Sequence, residues 1–461
     1  MRNVASLFTV ALFTGSLSTV NSERVEAQDP GPGPASVTFW GQLGDTTLAR
    51  LTAEALRANR DVQVAQARVR QARAARMNAA LDLAPTVTVA GGFTRQRLSQ
   101  AQFGIAVPDR SLWDTEFRAA WEVDVFGRLR KNLRGQDALS ESAREDVRDV
   151  GRLVTAELAT AYFELRGAQD QLLVAQRNAE NQRRTLQLTR NRLDAGRGTA
   201  FDTERAQAQL STTLALVPTF ESRIAAARHR IGVLVGRDPK VVGTELAGPC
   251  SAEVDESCSV PELPREVVPV EVDSLIRSRP DVRAAERRVA AEAAFVGAAK
   301  ADYLPRLSVG GTAGFTSTAF DSLGRSGSGR YAVGPVITWP LLNLGRVKAG
   351  VDAARGLEAE ARARYEQTVL LAREELETAR VAYARAQERL TQLEAAAAAS
   401  NRAAELARLR FEGGVADFLQ VLDAERSLLA AQDQLAQGRT DAVTALVAVY
   451  RAVGGGDSGA R

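Results

Sequence analysis

The sequence is written twice. Asn59-Arg60-Asp61-Val62 opens an amphipathic segment that ends at Leu83-Ala84-Pro85, and Arg279-Pro280-Asp281-Val282 opens another that ends at Leu304-Pro305. Asp61 aligns with Asp281 and Pro85 with Pro305 without a gap. The register continues: Trp121-Glu122-Val123-Asp124-Val125-Phe126-Gly127-Arg128 matches Trp339-Pro340-Leu341-Leu342-Asn343-Leu344-Gly345-Arg346, and Arg192-Leu193-Asp194-Ala195-Gly196 matches Arg410-Phe411-Glu412-Gly413-Gly414. Solenoid modules repeat every 20 to 50 residues or so, and this unit is far longer. Each half reads helix, strand pair, very long helix, turn, returning helix.

The strand pairs announce themselves by a change of period from helical to alternating. Trp113, Thr115, Phe117, Ala119, Trp121 and Val123 fall on one face of their run, and Asp114, Glu116, Arg118, Ala120, Glu122 and Asp124 on the other. Val87, Val89, Gly91 and Phe93 alternate with Thr86, Thr88, Gly92 and Thr94. In the second half Leu307, Val309, Gly311, Ala313 and Phe315 form one face, and Tyr331, Val333, Pro335, Ile337 and Trp339 form another. Each run has about the 9 to 11 residues that a tilted strand needs to cross a bilayer. Aromatics near the strand ends suit an interfacial girdle. Four strands cannot close a barrel, and lipid does not tolerate an open edge, so a spanning chain of this kind must oligomerise. Pro335 has no donor for a ladder, which predicts a bulge or a locally unpaired position.

The helices are too long for one globule. From about Arg130 to Leu193, and again from about Val347 to Phe411, only Gly135, Gly151 and Gly167 interrupt the first copy, as tolerated glycines. At 1.5 Å per residue each helix spans roughly 95 Å. Tyr365, Val369, Ala372, Leu376, Ala379 and Tyr383 step by fours and threes, as do Leu165, Ala168, Leu172, Ala175, Ala179 and Gln182. A 3.5-residue period of this kind with small residues predicts close coiled-coil packing. Gly196-Arg197-Gly198 and Gly413-Gly414 supply the helix ends. Return helices are expected over roughly Ala200 to Val235 and Phe418 to Arg451.

Composition adds exclusions. Lys and Arg total 59 against 56 Asp and Glu, so no strong polyanion-binding field is expected and nucleic acid is not a partner. The chain has one histidine, His229, no metal-ligand cluster and no phosphate-binding glycine loop, so no catalytic, cofactor or metal site is expected. Glu374-Glu375 reads as a pair of solvated helix charges. Arg2 followed by the apolar Val4 to Val20 reads as an export signal ending near Ala27. Cys250 and Cys258, close together in a loop rich in Gly, Pro and acid, are expected to form a disulfide in an oxidising compartment. No cysteine follows the apolar run, so N-terminal lipidation is not expected.

Several stretches carry a resemblance: Trp121 to Arg128, Ala161-Tyr162-Phe163-Glu164-Leu165, Ser278 to Glu286, Ala299 to Arg306, Gly334 to Pro340 and Gly414 to Arg426. In order, spacing and duplication they resemble the TolC-like outer-membrane efflux proteins, in the OprM/NodT branch. The resemblance implies an α+β membrane protein, a trimeric twelve-stranded outer-membrane β-barrel with four strands per chain, continued by a long periplasmic α-helical barrel. It implies a homotrimer in outer-membrane lipid, working with a periplasmic adaptor and an inner-membrane pump. Leu419, Asp423 and Arg426 match a set that closes the periplasmic end of such channels. The hairpin tips, Gly196, Gly198, Gly413, Gly414 and Val415, fall where relatives assemble with their partners. Many members of this branch carry an N-terminal lipidated cysteine, which this sequence lacks.

The expected organisation is a signal peptide over 1–27, a linker over 28–47, repeats over 48–270 and 271–453, and a tail over 454–461. A passive efflux conduit in the outer membrane is the leading function. A type I secretion channel, or a periplasmic coiled-coil scaffold outside the membrane, remains open at this point.

Overall fold

The computed structural model describes residues 45–97, 101, 104, 108–246 and 272–454. Cys250, Cys258, the expected signal peptide and nearly all of the expected tail lie outside them. Each half opens on two short helices: α1 (Thr46–Ala58) and α2 (Arg60–Leu81) in the first, α7 (Val272–Ser278) and α8 (Pro280–Ala301) in the second. Strands β1 (Thr86–Gln96) and β2 (Arg110–Val123) follow α2, and β3 (Arg306–Ser317) and β4 (Gly329–Thr338) follow α8. The long helices are α3 (Arg128–Asp194), with 67 residues, and α9 (Leu344–Glu412), with 69. At 1.5 Å per residue both measure about 100 Å.

The four strands make one antiparallel sheet in the order β1-β2-β3-β4, so β2 and β3 join the halves while β1 and β4 are its free edges. Apolar residues of the outer face are bare: Val89 is 68 % exposed, Tyr331 81 % and Val333 74 %. On the opposite face Glu116 is buried, and accepts hydrogen bonds from Arg118 at 2.5 Å and, across the row Glu116–Gly314–Arg330, from Arg330 at 2.8 Å. At the strand–helix junction the duplication recurs in detail. Trp121 Nε1 donates to the carbonyl of Leu83 at 2.9 Å and Trp339 Nε1 to that of Tyr303 at 3.0 Å.

No bulge accommodates Pro335. It faces Val309 in an unbroken register from Arg306↔Thr338 to Phe315↔Gly329. Thr316 N donates to Ser328 O at 2.8 Å, so even-numbered β4 residues turn their backbone groups to β3. Pro335 is odd. Its nitrogen faces the free edge, where no donor is needed within the chain.

The helices pack along the predicted stripes: Ala372, Leu376, Ala379 and Tyr383 are buried on α9, and Leu165, Ala168, Ala175 and Ala179 on α3. Two of the glycines taken as tolerated are required. A Cβ on Gly135 would stand 2.3 Å from the Phe295 ring, and one on Gly167 2.0 Å from Thr440 Oγ1, so α8 and the helix that carries Thr440 cross α3 where no side chain fits. The return path of the first half is two helices, α4 (Ala200–Leu214) and α5 (Val217–Leu234), with a short α6 (Pro239–Glu245) beyond; the second returns as one helix, α10 (Phe418–Ala452). Pro218 explains the difference, since it lacks the N–H an interior turn requires. Ala215 and Leu216, between the two helices, keep helical dihedrals.

A core of Leu48, Leu51, Val62, Leu158, Tyr162, Phe163, Ile231 and Val447 binds the helices near the middle of α3. Glu375 is not a solvated charge. It is half-buried, accepts from Arg279 Nη2 at 2.8 Å and from Arg451 Nε at 2.6 Å, and only its neighbour Glu374 is exposed. No helix among the described residues is long and apolar enough to cross a membrane.

Candidate functional site

The two hairpins end in the same turn chemistry. In the first, Gly196 N donates to Leu193 O at 2.9 Å and Arg197 N to Arg192 O at 2.8 Å. In the second, Gly414 N donates to Phe411 O at 3.0 Å and Val415 N to Arg410 O at 2.9 Å. This is the Schellman pattern, and it needs a left-handed residue; Gly196 (φ 68°) and Gly414 (φ 73°) occupy that place. Gly198 and Gly413 have other surroundings. A Cβ on Gly198 would lie 3.2 Å from Arg192 Cβ, whereas one on Gly413 meets only ordinary contacts. Asp417 then caps α10, accepting from Gln420 N at 3.1 Å, and Thr199 caps α4 likewise. Val415 is left 73 % exposed.

Leu419, Asp423 and Arg426 share one exposed face of α10, as their spacing of four and three requires. Phe418, Val421, Leu422 and Leu428 lie on its buried face, and the first three pack with Leu186, Leu210 and Phe411. Arg426 does not pair with Asp423 within the chain; its Nε donates to Gln209 of α4 at 2.6 Å. Among the described residues Asp423 has no ion-pair partner. The aligned positions of the first half, Phe201, Arg205 and Ala208, lack the set, and the Arg205 guanidinium lies over the Phe201 ring instead.

One residue here escaped the sequence reading. Glu425 lies on the buried face of α10 and is 2 % exposed. It accepts from Thr185 of α3 at 2.8 Å and from Arg408 of α9 at 2.9 and 3.0 Å. The signal was available, because Glu425 falls in step with Val421, Leu422 and Leu428, where an apolar residue would be expected. The seam between the hairpins stays polar above it: Asn178 donates to Gln432 and Gln171 to Asp433, both at 2.7 Å. At the tip Arg192 donates to the Phe411 carbonyl at 2.7 Å and stacks over that ring at 3.9 Å. A cavity of about 530 Å³ beside the seam is lined by Asp170, Arg177, Asn178, Glu405, Arg408 and Arg439. Burial raises the Asp170 carboxyl, against the opposing charges of Arg439 and Arg177.

A sheet with a bare apolar outer face and a polar inner face, continued by helices about 100 Å long, defines an outer-membrane channel with a helical extension into the periplasm. The chain belongs to the outer membrane efflux protein family, which it matches over residues 51–237 and 272–455. It is 30 % identical over 424 residues, 89 % of this chain and 84 % of the relative, to the probable efflux pump outer membrane protein SepC of Pseudomonas putida. With outer membrane protein OprJ of Pseudomonas aeruginosa the identity is 29 %, over 93 % of this chain and 88 % of the relative. The solved outer-membrane channel OprN superimposes with a TM-score of 0.83 at 39 % identity, covering 94 % of this chain and 96 % of that one. The protein is therefore an outer-membrane efflux channel.

Proposed function

We propose that three copies of this chain close a twelve-stranded barrel in the outer membrane and a helical tunnel beneath it. The trimer serves as the passive exit duct of a tripartite efflux system with a periplasmic adaptor and an inner-membrane pump. The observation that carries this reading is the four-stranded sheet with two free edges and an outer face of bare Val, Phe, Tyr and Ile. Unpaired edges are not tolerated in hydrocarbon, so β4 of one copy must meet β1 of the next. We infer small organic molecules as cargo, because relatives at similar identity are named as toluene efflux pump outer membrane proteins.

In the trimer Leu419, Asp423 and Arg426 face the axis and close the periplasmic end. The tips at Gly196, Gly198, Gly413, Gly414 and Val415 dock the adaptor. The hairpin α9–α10 carries the closing set and moves against α3–α4, since the set is missing from the first half. Mass measurement in detergent combined with single-channel recording in planar bilayers tests the reading. Trimers with a small resting conductance are expected; a detergent-free monomer with no conductance would refute it.

A further inference from the structure

Pro335 stands at a place that the channel reading does not explain. The sheet edge formed by β4 turns the backbone groups of Gly329, Tyr331, Val333, Pro335 and Ile337 outward, by the parity that Thr316 and Ser328 set. Four of these five positions can donate a hydrogen bond and the fourth in order, Pro335, cannot. The gap lies inside the apolar span, between Val333 (74 % exposed) and Ile337 (71 % exposed), where no water replaces a lost partner. The other free edge, β1, runs from Thr86 to Gln96 without a proline.

The two free edges differ in what they can accept. When a β4 edge pairs with β1 of another copy, the ladder loses one donor. When two β4 edges pair antiparallel about a two-fold axis, both strands bring the gap and the ladder loses two, out of a short strand of ten residues. The β4 edge is otherwise open to self-pairing, being apolar on one face and uncharged from Tyr331 to Thr338. We infer that Pro335 is an assembly-specificity residue: it bars the pairing of two β4 edges and reserves this edge for the β1 edge of the next copy. Two-fold pairing of β4 would give a dead-end dimer, whereas β4-to-β1 pairing is head-to-tail and closes into a ring. This inference rests on the trimeric barrel proposed above.

The test uses the full chain refolded into detergent and lipid, with Cys250→Ser and Cys258→Ser as background. Single reporter cysteines replace Tyr331, Val333 or Ile337. In a closed ring no two β4 strands adjoin, so the reporters of the parent protein should remain uncrosslinked. Pro335→Val, and Pro335→Ala as a change that restores the donor without adding strand preference, should yield disulfide-linked dimers and lower trimer yield by about threefold or more. Trimer yield equal to the parent's in both variants, with no crosslinked dimer, overturns the inference and leaves the channel reading intact. A parent preparation of sound fold that never forms trimer overturns the channel reading and this inference with it.

Discussion

Arg279 Nη1 donates to the carbonyl oxygen of Ala452 at 2.8 Å, closing the open end of α10 from the cap of α8. Asn59, at the aligned place in the first half, does the same for α5: its Nδ2 donates to Leu234 O at 2.9 Å. The duplication thus preserves a latch while exchanging its chemistry. Asn59 also accepts from the amides of Asp61 and Val62. Arg279 cannot accept, and its guanidinium binds Asp281 and Glu375.

Arg279→Leu should therefore cost more than Asn59→Ala. Arg279 is 3 % exposed, and removing it takes their main partner from Asp281 and Glu375, which keep only Arg152 at 3.7 Å and Arg451 at 2.6 Å respectively; breaking such a buried pair costs about 3 kcal/mol. Asn59→Ala forfeits a cap, about 1 kcal/mol, and the hydrogen bond to Leu234 O, about 1 kcal/mol more. Thermal unfolding of the two variants in one detergent checks the order.

The same cluster sets an acid limit. Burial pushes the carboxyls of Asp281 and Glu375 up, but hydrogen bonds and charge from Arg279 more than offset it, helped by Arg152 and Arg451 respectively, and both end below their ordinary values. A depressed folded pKa contributes stability above the unfolded value, about 4, and loses it as pH falls through the folded value. Asp149 runs the other way: burial raises it despite Arg152, so acid relieves it. Unfolding midpoints of the parent should fall below about pH 4. In Arg279→Leu that fall should be shallower; equal slopes would exclude the cluster as the source.

Glu425→Ala should loosen the tip. It removes the acceptor for Thr185 and Arg408 and leaves the Arg408 charge half-buried. Breaking such a pair costs about 3 kcal/mol. Higher single-channel conductance with unchanged trimer yield is expected.

Asp423→Ala with Arg426→Ala removes the proposed closing charges and, through Arg426, the hydrogen bond to Gln209. Conductance should rise, and cells should become leakier to bulky antibiotics. Gln209→Ala alone separates the two effects, because it breaks the contact and keeps both charges. Parent-like conductance in the double variant would place the closure elsewhere.

At the tips, Gly413 and Gly414 should separate docking from folding. Gly414→Ala forces a side chain into the left-handed region, about 1 kcal/mol. Gly413 has a right-handed backbone and room, so Gly413→Leu should leave trimer yield unchanged while weakening export if the adaptor docks there. Efflux assays and detergent mass measurements on both variants decide it.

The strands and long helices were legible because each rests on a local period: alternation from Trp113 to Val123, and fours and threes from Tyr365 to Tyr383. The tip glycines were legible for the same reason, since a helix end asks for a residue type. Glu425 was not, and Pro335 only in part: its unpaired position was expected, but a bulge was an equal alternative. Whether a missing donor needs a bulge depends on which way residue 335 faces, and that parity is fixed by its partner strand. A carboxylate on an apolar stripe becomes meaningful only once Thr185, about 240 residues away, stands beside it. Gly135 and Gly167 read as tolerated for the same reason: the ring of Phe295 and the hydroxyl of Thr440 come from other helices.

The length of α3 and α9 has a mechanical consequence. Midway along their length they are clamped by a large apolar core and the Arg279 cluster, while their tips are held by the smaller apolar cluster around Phe411 and Phe418 and by polar contacts such as Thr185–Glu425. The arm from this clamp to the tip is about 50 Å long, and a tilt of about 6° there carries its far end through about 5 Å, the pitch of one helical turn. A tilt of a few degrees at mid-length therefore carries the tips, where Leu419 and Asp423 open α10, through a few ångströms.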